Sequence, residues 1–156
     1  MELNTYKKIL VIHPFIETIR SQYDTRRKEL FRDPAVLPDF TLSLLKSPQT
    51  IAGNTDGYSC WMDAYNDMCN KINAFDFDIA IIGAGAYGLP LGSYIKRKGK
   101  SVLHLGGATQ LLFGIKGKRW ETEYDFASRI FNEYWIYPSE NEKPDNFNKV
   151  ENGCYW

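Results

Sequence analysis

Four short, mainly apolar runs stand out along the chain, each bounded by charged, glycine or proline residues. They cover residues 9–12, 41–45, 79–82 and 102–105. A continuous run of branched apolar residues, without polar alternation, is typical of a strand that is covered on both faces, as in a parallel sheet. We therefore predict four strands of one mainly parallel sheet.

Helical patterns lie between and after these runs. Apolar residues spaced by three and four predict helices over residues 15–31, 61–72 and 123–135, the second with Ser59 as a candidate cap. A further helix is predicted over residues 89–97. Strands that alternate with helices predict an α/β fold, Rossmann-like, with helices on both faces of the sheet.

The length of the chain limits how many such folds it can contain. It has 156 residues, of which 44% are hydrophobic and 15% aromatic, enough for one good core. We expect a single domain over residues 1–156. Residues 137–156 are polar, contain two prolines and finish in aromatics, so we expect them to drape over the domain as a tail.

Charge and cysteine content narrow the classes of partner. Nineteen basic residues balance nineteen acidic ones, which argues against a nucleic acid or an anionic membrane as the main partner. The three cysteines show no metal-binding spacing and are expected to be reduced thiols. The start of the chain shows neither a signal peptide nor a membrane span. We therefore expect a cytoplasmic protein.

The strand over residues 79–82 runs into a glycine-rich turn with the spacing of a dinucleotide fold. Gly83 and Gly85 would let the chain turn tightly and let a phosphate approach the backbone. Gly88, with Gly92 four residues on, would let the next helix lie close to the sheet. Ala86 and Tyr87 complete this turn. The alternative is that these glycines only pack helix against strand.

A second glycine turn follows the next strand. Gly106 and Gly107 lead into Thr109 and Gln110, and the cations Lys116, Lys118 and Arg119 come shortly after. Two anion-friendly loops side by side, with cations nearby, would suit a nucleoside diphosphate. The alternative for the cations is a solvated face.

Histidines mark two of the predicted strand ends, His13 and His104. A dinucleotide-dependent oxidoreductase should carry a carboxylate at the end of the strand that follows the glycine turn, and none is present there. The pair Asp76 and Asp78 spells a DxD but lies at the start of a strand, away from the turn. No catalytic residue is assigned, and the candidate ligand-binding residues are His13, Gly83, Gly85, Ala86, Tyr87, Gly88, His104, Gly106, Gly107, Thr109, Gln110, Lys116, Lys118 and Arg119.

The segment "DIAIIGAGAYGLPLGSYIKRKGKSVLHLGGATQLLFGIKGKRW" resembles a family of bacterial proteins that look like the GT-D glycosyltransferase fold and often occur with surface-polysaccharide genes. The early "ILVIHPF" and the late "KVENGCYW" resemble it too. The resemblance covers nearly the whole chain. It implies a Rossmann-like domain that handles a nucleotide-diphosphate sugar in polysaccharide or glycan biosynthesis.

One feature departs from that family. GT-D enzymes carry an acidic Asp-Gly-Glu metal motif, which this chain lacks, and Glu121 and Glu123 are the nearest substitutes. Those two glutamates could equally be charges at a helix N-terminus. The sequence thus leaves three hypotheses: a glycosyltransferase-like domain, with or without a divalent metal, a non-catalytic nucleotide-binding or assembly subunit, and a dinucleotide-dependent oxidoreductase. Its partner would be a nucleotide sugar, and a homo-oligomer or a partner subunit stays open.

Overall fold

A computed structural model describes residues 7–156, apart from the side chain of Ser128. Its centre is one four-stranded, all-parallel sheet in the order β2-β1-β3-β4. The strands are β1 (Lys8–His13), β2 (Thr41–Lys46), β3 (Ile79–Ile82) and β4 (Ser101–His104). All four predicted strands are confirmed, with β4 one residue earlier than expected. The first six residues of the predicted domain lie outside the described ones.

Three longer helices connect the strands and three short ones follow them. The connecting helices are α1 (Ile16–Arg26), α2 (Trp61–Ile72) and α3 (Gly88–Arg97). After β4 come α4 (Thr109–Leu112), α5 (Lys118–Thr122) and α6 (Asp125–Ile130). The alternation of strand and helix confirms the predicted Rossmann-like α/β architecture.

Each face of the sheet is covered by its own hydrophobic core. Alternate residues of a strand point to opposite faces, so Ile9 and Val11 pack with α1 and the segment after β4, while Leu10 and Ile12 pack with α2 and α3. This double coverage explains why the central strands are apolar without alternation. Helices therefore lie on both faces, as predicted.

Two predicted helices differ from the observed ones. Helix α1 ends at Arg26 rather than at residue 31. Leu30 is buried beyond its end, where its carbonyl accepts a hydrogen bond from Trp135 Nε1 at 3.0 Å. Of residues 123–135, only Asp125–Ile130 are helical, and Phe126 and Ile130 are exposed. The prediction that the large apolar residues of this helix form its buried face was wrong, because the helix buries its small residue, Ala127, instead.

The start of α2 also differs in detail. Cys60, rather than Ser59, precedes the first helical residue, and no side chain caps the helix. Trp61, the first helical residue, stacks its ring on those of Tyr65 and Tyr87.

Residues 137–156 run across the domain in two 3₁₀ turns, Glu140–Glu142 and Phe147–Lys149. Glu142 and Cys154 in this segment are buried, and Trp156 packs against the core that contains α1. Within residues 7–156, no helix is long and apolar enough to span a membrane.

Candidate functional site

The strand order places the topological switch point of the sheet at the carboxyl ends of β1 and β3, a region called the crevice below. From β1 the chain passes to β2 on one side, whereas β3 and β4 lie on the other, so neighbouring loops leave in opposite directions. In open α/β sheets this reversal of strand order is where ligands bind. The crevice is bordered by the N-termini of α1 on one face and α3 on the other.

The glycine turn after β3 contains two different kinds of glycine. A methyl group placed on Gly83 would lie 2.6 Å from Gly106 O, 2.6 Å from His13 Cδ2 and 2.7 Å from Thr109 Oγ1. Gly83 is therefore required by packing, since the ends of three strands meet on it. Gly85 has φ +51° and nothing within 4 Å of the same position, so it is an open, left-handed turn residue.

Gly88, the first residue of α3, is also a packing glycine. A methyl group there would overlap the His104 imidazole, which otherwise is exposed. The predicted role of Gly92 finds no support, because a methyl group on it would meet only Val102 Cγ2, at an ordinary 3.8 Å.

The second turn, after β4, lies against the first one. Gly106 is left-handed, with φ +56° and open space around it, whereas Gly107 is covered by the ring of Tyr155. Thr109 and Gln110 are buried. Gln110 Nε2 donates to Lys116 O at 2.8 Å, so this amide holds the loop that follows α4.

His13, the last residue of β1, is buried and held in one tautomer. Its Nδ1 accepts a hydrogen bond from the Phe15 amide at 3.0 Å, which assigns the imidazole proton to Nε2. Burial lowers the pKa of His13 to about 3. At neutral pH its ring is therefore uncharged and presents an N–H group rather than a base.

An aromatic stack flanks the glycine turn. The rings of Tyr65 and Tyr87 both lie parallel to Trp61, at centroid distances of 5.3 and 5.2 Å. The Tyr87 hydroxyl is 2.6 Å from Thr50 Oγ1. Tyr87 was among the predicted residues, but Trp61 and Thr50 were missed. The start of an amphipathic helix at a strand's carboxyl end was the signal that could have indicated Trp61.

The three predicted cations lie against the tail and its neighbours. Arg119 pairs with Glu151 and with Glu123 (3.5 Å), and its Nη1 donates to the Tyr155 hydroxyl at 2.8 Å. Lys118 Nζ donates to Asn152 O at 3.3 Å.

Lys116 lies over the rings of Phe131 and Tyr137, at 5.7 and 5.9 Å from their centroids. All three cations thus have intramolecular partners, and their binding of a diphosphate stays a prediction.

A buried carboxylate closes the N-terminus of α1, and no sequence pattern indicated it. Glu142 Oε1 accepts hydrogen bonds from the amides of Glu17 (2.8 Å) and Thr18 (3.3 Å). Its Oε2 accepts from Thr18 Oγ1 and from the Ser139 amide at 3.3 Å. The tail thus supplies the negative charge that a helix N-terminus favours.

Two concave regions accompany the crevice. A polar cavity of about 170 Å³ lies at the carboxyl end of β2, with Lys46, Gln49, Asn141 and Lys143 in its lining. A wider, open groove of about 670 Å³ follows the edge of β2 and α1. The first adjoins the strand ends through the chain neighbours Gln49 and Thr50, and the second reaches the N-terminus of α1 through Ile16 and Glu17.

The acidic residues do not fit a divalent metal. Among the described residues, no group of three or more His, Cys, Asp or Glu side chains could hold one. Glu121 accepts a hydrogen bond from the Tyr137 hydroxyl at 2.5 Å, which is the main cause that raises the pKa of Tyr137 to about 12. Asp76 pairs with Lys8 at the amino end of the sheet, away from the crevice, as expected.

This chain was compared with protein-family models, curated proteins and solved structures. No family model, no curated protein and no solved structure matches this chain.

Proposed function

We propose that this chain is a glycosyltransferase-like domain that binds a nucleotide-diphosphate sugar at the carboxyl ends of β1, β3 and β4. The observation that supports it best is the pair of open, left-handed glycines, Gly85 and Gly106, on adjacent turns beside the crevice. The diphosphate would lie against the turn before α3, whose first residues carry no side-chain cap. Backbone N–H groups at such a helix start favour phosphate oxygens.

A binding role without catalysis is the second candidate. It is favoured by the lack of an acidic metal group among residues 7–156 and by the use of Glu121 and Glu123 in local contacts. The oxidoreductase hypothesis has less support, since β4 ends in His104 and is followed by Leu105 and Gly106, with no carboxylate for a ribose.

The test compares two exposed, left-handed glycines. Gly85→Val would place a branched side chain at the mouth of the crevice, while Gly99→Val, at φ +79° with equally open surroundings, lies beyond the C-terminus of α3. Both variants should lose roughly 1–2 kcal/mol of stability from the left-handed backbone.

Only Gly85→Val should weaken binding of nucleoside diphosphates measured by calorimetry, by about tenfold or more. Equal affinities in the two variants would remove the turn from the binding site. No binding by the wild type across a panel of nucleoside diphosphates and their hexose conjugates would overturn the proposed function.

A further inference from the structure

Buried polar atoms without a partner are concentrated beside the second glycine turn. In the part of the chain that the structure describes, the buried side-chain atoms lacking a hydrogen bond are Ser47 Oγ, Thr109 Oγ1, Arg119 Nε, Trp120 Nε1 and Trp156 Nε1. Arg119 Nε still faces Glu123 at 3.5 Å. Thr109 is fully buried, and Trp120 is only 8% exposed. Since an unpaired buried donor costs about 1–3 kcal/mol, these groups call for an acceptor.

The unpaired groups lie around the same short stretch of backbone. A methyl group on Gly107 would be 3.5 Å from Trp120 Cζ2, which is two bonds from the indole nitrogen, and 2.7 Å from Tyr155 Cε1. The ring of Trp156 is 5.9 Å from that of Tyr155. Thr109 Oγ1 lies against Gly83, at the end of β3. The cluster therefore lies around the second glycine turn, where Tyr155 covers Gly107.

The chemistry of the cluster favours a neutral acceptor over a phosphate. Indole N–H groups only donate, and a threonine hydroxyl can donate. The nearby guanidinium of Arg119 is already faced by the carboxylates of Glu123 and Glu151, so a second anion would meet two like charges. The aromatic ring of Trp120 lies beside Gly107. Neutral donors beside an aromatic ring suit the hydroxyl oxygens and C–H faces of a sugar.

A hinge lies next to the segment that covers these donors. Glu151, Asn152 and Gly153 all have left-handed backbones, with φ of 45°, 56° and 75°. Such a conformation costs non-glycine residues about 1–2 kcal/mol each. The segment is held down through its backbone, since Gln110 Nε2 donates to Tyr155 O (3.3 Å) and the Arg119 amide to Cys154 O (2.8 Å). It is also held through the side chain of Arg119, which pairs with Glu151 and donates to the Tyr155 hydroxyl.

We propose that Thr109 and Trp120 form a subsite for the sugar of the bound nucleotide, and that the covering segment, residues 151–156, which includes Trp156, swings away to admit it. This subsite rests on the proposed function and assigns the sugar, rather than the diphosphate, to the second glycine turn. Movement at the hinge relieves the left-handed backbone and lets the ligand supply the missing acceptors.

The test uses two buried tryptophans, of which one has a hydrogen-bond partner for its indole N–H and the other has none. Trp120→Phe removes an unpaired donor, whereas Trp135→Phe removes one that donates to Leu30 O at 3.0 Å. Both residues are buried. For each variant of the full chain, urea unfolding measures stability, and calorimetry measures affinity for a panel of nucleoside diphosphates and their hexose conjugates.

Both changes remove buried ring atoms and cost stability, but Trp120→Phe should lose less than Trp135→Phe, because its N–H has no hydrogen bond to lose. Trp120→Phe should also lose about three- to tenfold in affinity for a hexose conjugate, and bind the free diphosphate as the wild type does. Trp135→Phe should lose stability and keep both affinities. The inference is overturned if Trp120→Phe binds the conjugate like the wild type, which is the result expected if water satisfies the indole. It is also overturned if both variants lose stability alike. If the wild type binds no free diphosphate, the proposed function fails, and the subsite fails with it.

Discussion

The two strand-to-helix junctions at the crevice differ in how the free backbone amides at the start of the helix are treated. At the β1–α1 junction, buried polar side chains satisfy the backbone: Glu142 caps α1, and His13 accepts from the Phe15 amide. At the β3–α3 junction, glycines replace side chains, no side chain caps the helix, and Gly85 is open. A helix start that is closed by the protein contributes to stability, whereas one left open is available to a ligand.

Removing the carboxylate at α1 should have the largest effect. Glu142→Ala leaves the amides of Glu17 and Thr18 and the Thr18 hydroxyl without their acceptor, so we expect a loss of roughly 3 kcal/mol in urea unfolding. Glu140→Ala is the control, because its side chain is 88% exposed and pairs only with Lys143. That variant should lose less than about 1 kcal/mol. Similar losses in the two variants would mean that Glu142 is not the cap of α1.

A second effect should come from pH at the same junction. The folded-state pKa of His13, about 3, lies below its ordinary 6.5, so folding favours the neutral ring. The contribution of the neutral His13 ring to the free energy of unfolding is complete above about pH 6.5 and is lost as the pH falls toward 3. At pH 5 the free energy of unfolding should be lower than at pH 7 by roughly 2 kcal/mol. Urea unfolding at both pH values would check this, and His13→Gln should lower the difference by that amount. An unchanged difference would contradict a buried, neutral His13.

The smallest effect should come from glycines inside α3. Gly92→Ala adds a methyl group with room to spare and should raise stability by about 0.5–1 kcal/mol, because alanine favours the helix. Gly88→Ala should fall short of that gain, since the His104 ring must move away. Thermal unfolding of the two variants would show the difference. An equal gain at both positions would show that His104 does not pack on Gly88.

Much of this contrast could be predicted from the chain itself. Apolar runs gave the four strands, and glycine spacing drew attention to Gly83 and Gly88, because close packing at a strand end permits no side chain. What separated Gly83 from Gly85 was not predictable, since both match the same pattern. Gly83, at the end of β3, packs against His13 and the turn after β4, whereas nothing lies within 4 Å of a methyl group placed on Gly85.

Contacts between distant residues could not be predicted. The partner of Thr18 is 124 residues away, and a glutamate in a polar tail carries no mark that it will be buried. The same applies to Arg119, whose charge suggested a ligand although Glu151, 32 residues on, pairs with it. Charge alone does not tell a free cation from a paired one. Short helices after β4 were misjudged for a similar reason, because tertiary packing rather than periodicity fixes their buried side.

The cap of α1 also has a consequence for how the chain folds. Strand β1 and helix α1 leave the ribosome early, but the carboxylate that completes them is made more than 120 residues later. Closing so long a loop slows folding. Until residue 142 emerges, the first amides of α1 must be satisfied by water. The N-terminal half of the domain is therefore expected to stay incompletely folded until the chain has been synthesised past residue 142.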